Sequence, residues 1–219
     1  MSFQSSTTSR LQTTTTNKYF KWDTQAHKEQ PLFIHQLAIM EQVISKALCD
    51  HKRTFAVRVD LRLPKGEVDS SNNVLKRFFA SLKAQIKSHE ARKHKAGGLV
   101  HKTNLRYIWA REHNHSLHHH YHVVLLFNKD QFSTLGNFES EKVNLFNRIV
   151  TAWASALAKP FEEVKCLVHI PKNPYYILDA NSLQFTEQFN ALFHRVSYFA
   201  KVRTKQFGEG HRTFGCSQK

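Results

Sequence analysis

His118-His119-His120-Tyr121-His122-Val123-Val124-Leu125-Leu126-Phe127 sets a cluster of imidazoles at the mouth of an unbroken apolar run. The run is β-branched and aliphatic, the composition of a buried strand. In a strand, residues i and i+2 share a face. His120 and His122 therefore aim at one point, and Tyr121 turns the other way into the core. Just upstream, Leu105-Arg106-Tyr107-Ile108-Trp109-Ala110-Arg111 is a second strand-like run that ends at Glu112. The two predict a hairpin over 104–112 and 119–127, joined by a His-rich turn.

The rest of the chain is read outward from this hairpin. Upstream, Phe55, Val57, Val59, Leu61 and Leu63 alternate with Arg58, Asp60 and Arg62, a strand with one charged face that Pro64 ends. Between it and the hairpin, Val74, Leu75, Phe78, Phe79, Leu82 and Ile86 have helical spacing. Downstream, a helix is expected over 140–158 and a strand at 163–170. A loop with Pro171 and Pro174 follows, then an amphipathic helix from Phe185 to Lys205. Before the first strand, Pro31 opens a helix that continues through Leu48. Residues 1–28 are rich in Ser, Thr and Gln and predict a mobile polar tail. The division is thus a tail, 1–28, and one domain, 29–219, with its core at 53–205. From residue 53 the order is β-α-β-β-α-β-α. It predicts an α+β fold: a ferredoxin-like (βαββαβ) antiparallel sheet with an added N-terminal helix and a C-terminal helix.

Composition bounds the partners. The formal net charge of +15 over 219 residues points to nucleic acid or another polyanion. No apolar run reaches the roughly 18–20 residues of a membrane span, and the first residues lack the apolar core of a secretory signal. A cytoplasmic protein with no membrane partner is expected. Cys49, Cys166 and Cys216 are widely spaced and form no CxxC pair, so neither a zinc ribbon nor a disulfide framework is supported.

Three groups carry candidate chemistry. The first is the histidine pair. Six of the ten residues 113–122 are histidine, so His113/His115 and His118/His120 share the spacing. Only His120/His122 has the apolar strand directly behind it. An unbulged hairpin would set Glu112 on the same face, and a one-residue slip would turn it away. One carboxylate and two imidazoles with open positions suit Mg²⁺ or Mn²⁺. The second group is Tyr198 and Lys201, which lie with His194 and Lys205 on a polar helical stripe. A nearby ammonium or cation favours phenolate. Tyr175 and Tyr176, in the Pro-flanked loop, are the rival nucleophiles. The third is the basic set Arg58, Arg62, Arg106, Arg111 and Lys205, candidates for phosphate contacts. Asp60 reads as the ion-pair partner of Arg58 and Arg62, and Trp109 or Tyr107 could stack unpaired bases or pack in the core.

Glu112, His120, His122 and the Tyr198-Phe199-Ala200-Lys201 motif together resemble the HUH endonucleases: rolling-circle replication initiators, relaxases and related transposases. More narrowly, Arg58-Val59-Asp60-Leu61-Arg62-Leu63-Pro64, the run from His119 to Asn128 and the tail Gly210–Ser217 resemble the YagK/YfjJ-type replication proteins of filamentous phages and related prophages. That resemblance spans about residues 30–217. It implies a metal-dependent, single-tyrosine enzyme that nicks and joins single-stranded origin DNA. Tyr198 would form a 5′-phosphotyrosine and release a 3′-hydroxyl. The enzyme would start rolling-circle replication of a phage or mobile element in a bacterial cytoplasm. The chain has no GxxxxGK[ST] phosphate loop, so a host helicase and polymerase are the implied partners. A transposase or mobilisation relaxase of the same chemistry, and a DNA-binding regulator without catalysis, are the alternatives. The Arg212-Thr213-Phe214-Gly215 segment has no independent physical role in this reading.

Overall fold

The computed structural model describes residues 11–67, 72–112, 120–140, 143–203 and 212–218. The chain opens with short strands β1 (Thr13–Thr14), β2 (Lys18–Tyr19), β3 (Trp22–Asp23) and β4 (Leu32–Phe33), then helix α1 (Ile34–Asp50). Next come β5 (Arg53–Arg62), α2 (Asn73–Lys95), β6 (Arg106–Glu112), β7 (His120–Asn128) and α3 (Leu145–Leu157). A short α4 (Phe161–Lys165), β8 (Val168–His169), β9 (Tyr175–Asp179) and α5 (Phe185–Ser197) follow. A 3₁₀ turn, Tyr198–Ala200, and β10 (Phe214–Cys216) close it.

The main sheet has the order β10-β6-β7-β5-β8, with β9 also on β5, and every pairing is antiparallel. β7 takes one whole edge of β5, so β8 and β9 share the other and act as one interrupted strand. The backbone N–H of Arg58 donates to the carbonyl of Pro174 between them, at 2.9 Å. Without β10 this is the expected ferredoxin-like order, and the α+β class holds.

Strand alternation divides the core in two. Phe55, Val57, Val59 and Leu61, with Tyr121, Val123, Leu125 and Phe127, face α2 and α3, where Phe78, Leu82, Ile149 and Trp153 meet them. The opposite face carries Ala56, Ile108, Ala110, Val124 and Leu126 under α1 and α5, through Leu37, Ile44, Leu192 and Phe193. The charged face of β5 is therefore roofed: Arg58 and Asp60 are buried, and only Arg62 at the strand end is exposed. Among the described residues, no helix is long and apolar enough to cross a membrane.

Four expectations are corrected. Residues 11–28 are not a loose tail. Trp22 is buried and stacks on Phe189 with ring centroids 4.1 Å apart, and its Nε1 donates to Glu41 at 2.8 Å. A single buried indole outweighs the polar composition around it. Residues 1–10 lie outside the described residues. The strand expected at 163–170 is α4 followed by the two residues of β8, because Pro160 precedes a turn with Glu162 and Glu163 at its N-terminal end. Tyr175 and Tyr176 lie on β9 rather than in a loop. The helix expected to Lys205 ends at Ser197, because the backbone beyond it is recruited elsewhere. Lys201 bridges to Leu32, and Val202 N–H donates to the Pro31 carbonyl at 3.1 Å.

Candidate metal centre and tyrosine

The hairpin register pairs Glu112 with His120 and Ala110 with His122. With no bulge, all three polar side chains emerge on the α5 face, as an unslipped hairpin requires. Glu112 and His122 are buried and His120 is half-buried. One ligand atom from each lies within 4.8 Å of the others. Glu112 Oε2 is 3.1 Å from His122 Nε2 and 3.7 Å from His120 Nε2. Adjacent ligands on an octahedral ion with bonds of about 2.1 Å stand about 3 Å apart. His122 Nε2 is enclosed and faces the Glu112 carboxylate. A carboxylate oxygen and two imidazole nitrogens this close together form a ligand set for a metal ion. This donor set fits a divalent cation.

The other nitrogen of His122 shows how the ring is held. Nδ1 lies 2.6 Å from Asp60 Oδ1 and 3.1 Å from an Arg58 amino group. Arg58 Nε reaches Asp60 at 3.3 Å, and His169 Nδ1 lies 3.6 Å from its second oxygen. Phe199 stacks on the imidazole, with centroids 5.7 Å apart at 19°. A carboxylate on Nδ1 selects the tautomer whose Nε2 lone pair is free for a metal.

Burial opposes charge on Asp60, but His122 and Arg58 overcome it and hold its carboxyl at about 2. Burial likewise opposes the Glu112 charge, and His122 and Lys201 bring that carboxyl to about 2. Burial pushes the His122 imidazole down, yet the two carboxylates raise it above its ordinary value.

Tyr198 enters from the turn after α5. Its ring meets His122 edge-on at 5.9 Å. Lys201 is buried, donates to the Tyr198 hydroxyl and sits 2.7 Å from Glu112 Oε1. One ammonium therefore ties the tyrosine to the carboxylate. The helical stripe brought Tyr198 to the site by a route other than the expected one. Lys201 is in extended backbone beyond the helix and reaches back, while His194 is exposed. Lys205 and the turn 113–119, with His113, His115 and His118, lie outside the described residues.

The basic set disperses. Arg58 is buried beside Asp60 and His122 rather than presented on the surface. Arg106 is buried against Asp50. Arg111 is buried and, by alternation along β6, shares the side of Tyr107 and Trp109, away from the metal face. Arg62 alone of the four arginines is exposed. Tyr175 and Tyr176 lie on β9, across β5 from the hairpin. The reading of the charged stripe missed the role of Asp60. The signal was its strand parity: Asp60 is the direct cross-strand neighbour of His122, which is legible only once β5 is known to pair with β7.

The comparisons with known proteins agree on a lineage. The YagK/YfjJ C-terminal domain family matches residues 15–217. The Escherichia coli (strain K12) protein named "Uncharacterized protein YagK" is 40% identical over 200 residues, covering 84% of this chain and 95% of its own length. "Uncharacterized protein YfjJ" of the same strain is 35% identical over 193 residues, covering 82% and 91%. No solved structure matches the chain. By matched span and by identity, the chain belongs to the YagK/YfjJ C-terminal domain family.

Proposed function

We propose that this protein is a metal-dependent, single-tyrosine enzyme that nicks and rejoins single-stranded DNA to initiate rolling-circle replication of a phage or mobile element. The observation that carries the reading is the convergence of Tyr198 and Lys201 on Glu112, His120 and His122. A tyrosine beside a buried imidazole, a buried carboxylate and a buried ammonium is costly to build for packing alone.

Glu112, His120 and His122 would hold Mg²⁺ or Mn²⁺, which when bound supplies Lewis-acid polarisation of a phosphoryl oxygen. Asp60 and Phe199 fix the His122 ring. Lys201 donates to the Tyr198 oxygen and holds it beside the ligand set. The Tyr198 oxygen forms a bond to the phosphorus as the bond to the 3′ oxygen breaks. The phenol proton is lost to solvent, and the departing 3′ oxygen takes one up. A 5′-phosphotyrosine and a 3′-hydroxyl result. Attack by a 3′-hydroxyl on that linkage reverses the step and releases Tyr198. The net charge of +15 supports a polyanionic substrate.

The test incubates the protein with labelled single strands from the element's origin region and Mn²⁺, then looks for an adduct on a denaturing gel. The wild type, Tyr175→Phe and Tyr176→Phe should give it, and Tyr198→Phe should not. Mass spectrometry should place the nucleotide on the Tyr198 peptide. If no origin strand yields an adduct with Mg²⁺ or Mn²⁺, a DNA-binding regulator without catalysis replaces this reading.

A further inference from the structure

A second concavity lies on the opposite face of the sheet from the metal centre. It is a groove of about 750 Å³ between α2 and the edge formed by β6 and β10. Its floor is aromatic: Tyr107 is half-buried and stacks flat on Phe79, with centroids 3.5 Å apart and planes 6° from parallel. Trp109 lines the groove too but is buried, with Gly215 packed on its indole, so Tyr107 is the ring offered to a base. Its rim is basic. Lys76, Lys83 and Arg212 line it and are exposed, and among the described residues no acidic side chain does. Lys83 Nζ lies 5.4 Å from the Tyr107 ring, and Lys76 also donates to Asn73 at 3.1 Å.

Aromatic floor and cationic rim answer the two halves of a nucleotide. Bases stack on aromatic rings whatever their sequence, and phosphates meet lysine and arginine. A duplex hides its base faces, so an unpaired strand fits and a double helix does not. An acidic peptide would use the rim and leave the rings idle. We propose that this groove seats unpaired nucleotides of a single strand, with bases against the Tyr107–Phe79 stack and phosphates against Lys76, Lys83 and Arg212. The identity of the occupant rests on the proposed single-strand substrate. The site itself is separate from the metal centre.

The test is fluorescence anisotropy with a labelled thymidine oligomer of about twelve nucleotides, in EDTA so that only binding is read. Tyr107→Leu should weaken binding about tenfold. Lys76→Gln with Lys83→Gln, both at exposed positions, should weaken it and reduce the salt slope by about 1.4. Lys28→Gln with Lys52→Gln, both exposed and outside the groove, should keep more of the wild-type affinity. Unchanged affinity in the Lys76/Lys83 variant overturns the proposal, whatever Tyr107→Leu does to folding. So does an equal loss in the Lys28/Lys52 variant, equal competition by duplex, or equal competition by polyglutamate. Groove-dependent binding without any adduct in Mn²⁺ would remove the nicking reading and leave the groove standing.

Discussion

Asp60 shows how much one residue can do without touching substrate. Its oxygen 2.6 Å from His122 Nδ1 decides which imidazole nitrogen is free. Asp60→Asn keeps the shape and removes the charge. Mn²⁺ affinity should fall about 10–100-fold, read by titration calorimetry, with the far-UV circular dichroism unchanged. Parent affinity would mean the Phe199 stack alone orients the ring. Lys201 gives a second prediction. It is one partner of a buried ion pair with Glu112. Lys201→Met leaves that carboxylate in a low-dielectric site, at a cost of about 3–5 kcal/mol in the metal-free protein. Urea unfolding should show it, and a loss below about 1 kcal/mol would mean the histidines satisfy Glu112 unaided.

At the scale of the element, β10 accounts for the Arg212-Thr213-Phe214-Gly215 segment. Phe214–Cys216 pairs with Ala110, Trp109 and Ile108 and adds an edge strand to the hairpin that bears Glu112. Asn72 fastens its start, donating to the Arg212 carbonyl at 2.9 Å and accepting from the buried Tyr121 hydroxyl at 3.2 Å. Gly215 is there for closeness. A Cβ on it would meet the Trp109 indole at 2.6 Å. Gly215→Ala should therefore cost about 1–3 kcal/mol, seen as a lower urea midpoint at constant slope. An unchanged midpoint would show that the indole can move aside. The same scale explains the divided fourth strand. Pro171 and Pro174 cannot donate to a ladder, so the edge of β5 is filled by β8 and β9 with a gap between them.

At the scale of the molecule, the first described residues and the last helix are one unit. Trp22 stacks on Phe189, the Gln25 backbone donates to Ser197 Oγ at 2.9 Å, and Pro31 and Leu32 hold the backbone of Lys201 and Val202. Trp22→Ala should cost about 3–5 kcal/mol, a fall in Tm of roughly 10 °C for a chain of this size. It should also reduce adduct formation by loosening the Tyr198 turn. Full activity with the lower Tm would mean the turn holds without this strap. Cation binding is also a whole-molecule property. Mn²⁺ at a hundred times its Kd should add about 2.7 kcal/mol, raising Tm by about 5–10 °C. EDTA should reverse the rise. A rise that persists in His120→Ala/His122→Ala would place the ion elsewhere.

The sequence by itself determined what depends on short-range periodicity. Val123 to Phe127 read as a buried strand and period two put His120 and His122 together, while the register that sets Glu112 opposite His120 was left open until the strands paired. The α+β class followed from the order of apolar patterns. The tertiary structure decided whatever depends on neighbours distant in sequence. Asp60 is an ion-pair partner in β5 taken alone and the orienting carboxylate of His122 once β5 and β7 pair. Arg58, Arg106 and Arg111 look solvated on their strands and are buried beneath helices or against partners such as Asp50. The α5 stripe ends at Ser197 because residues 31 and 32 claim the next backbone groups. Trp22 gives a Ser/Thr-rich segment its anchor because Phe189, 167 positions later, stands opposite. In each case the local pattern was sound, and burial against a long-range partner, worth more than local propensity, fixed the outcome.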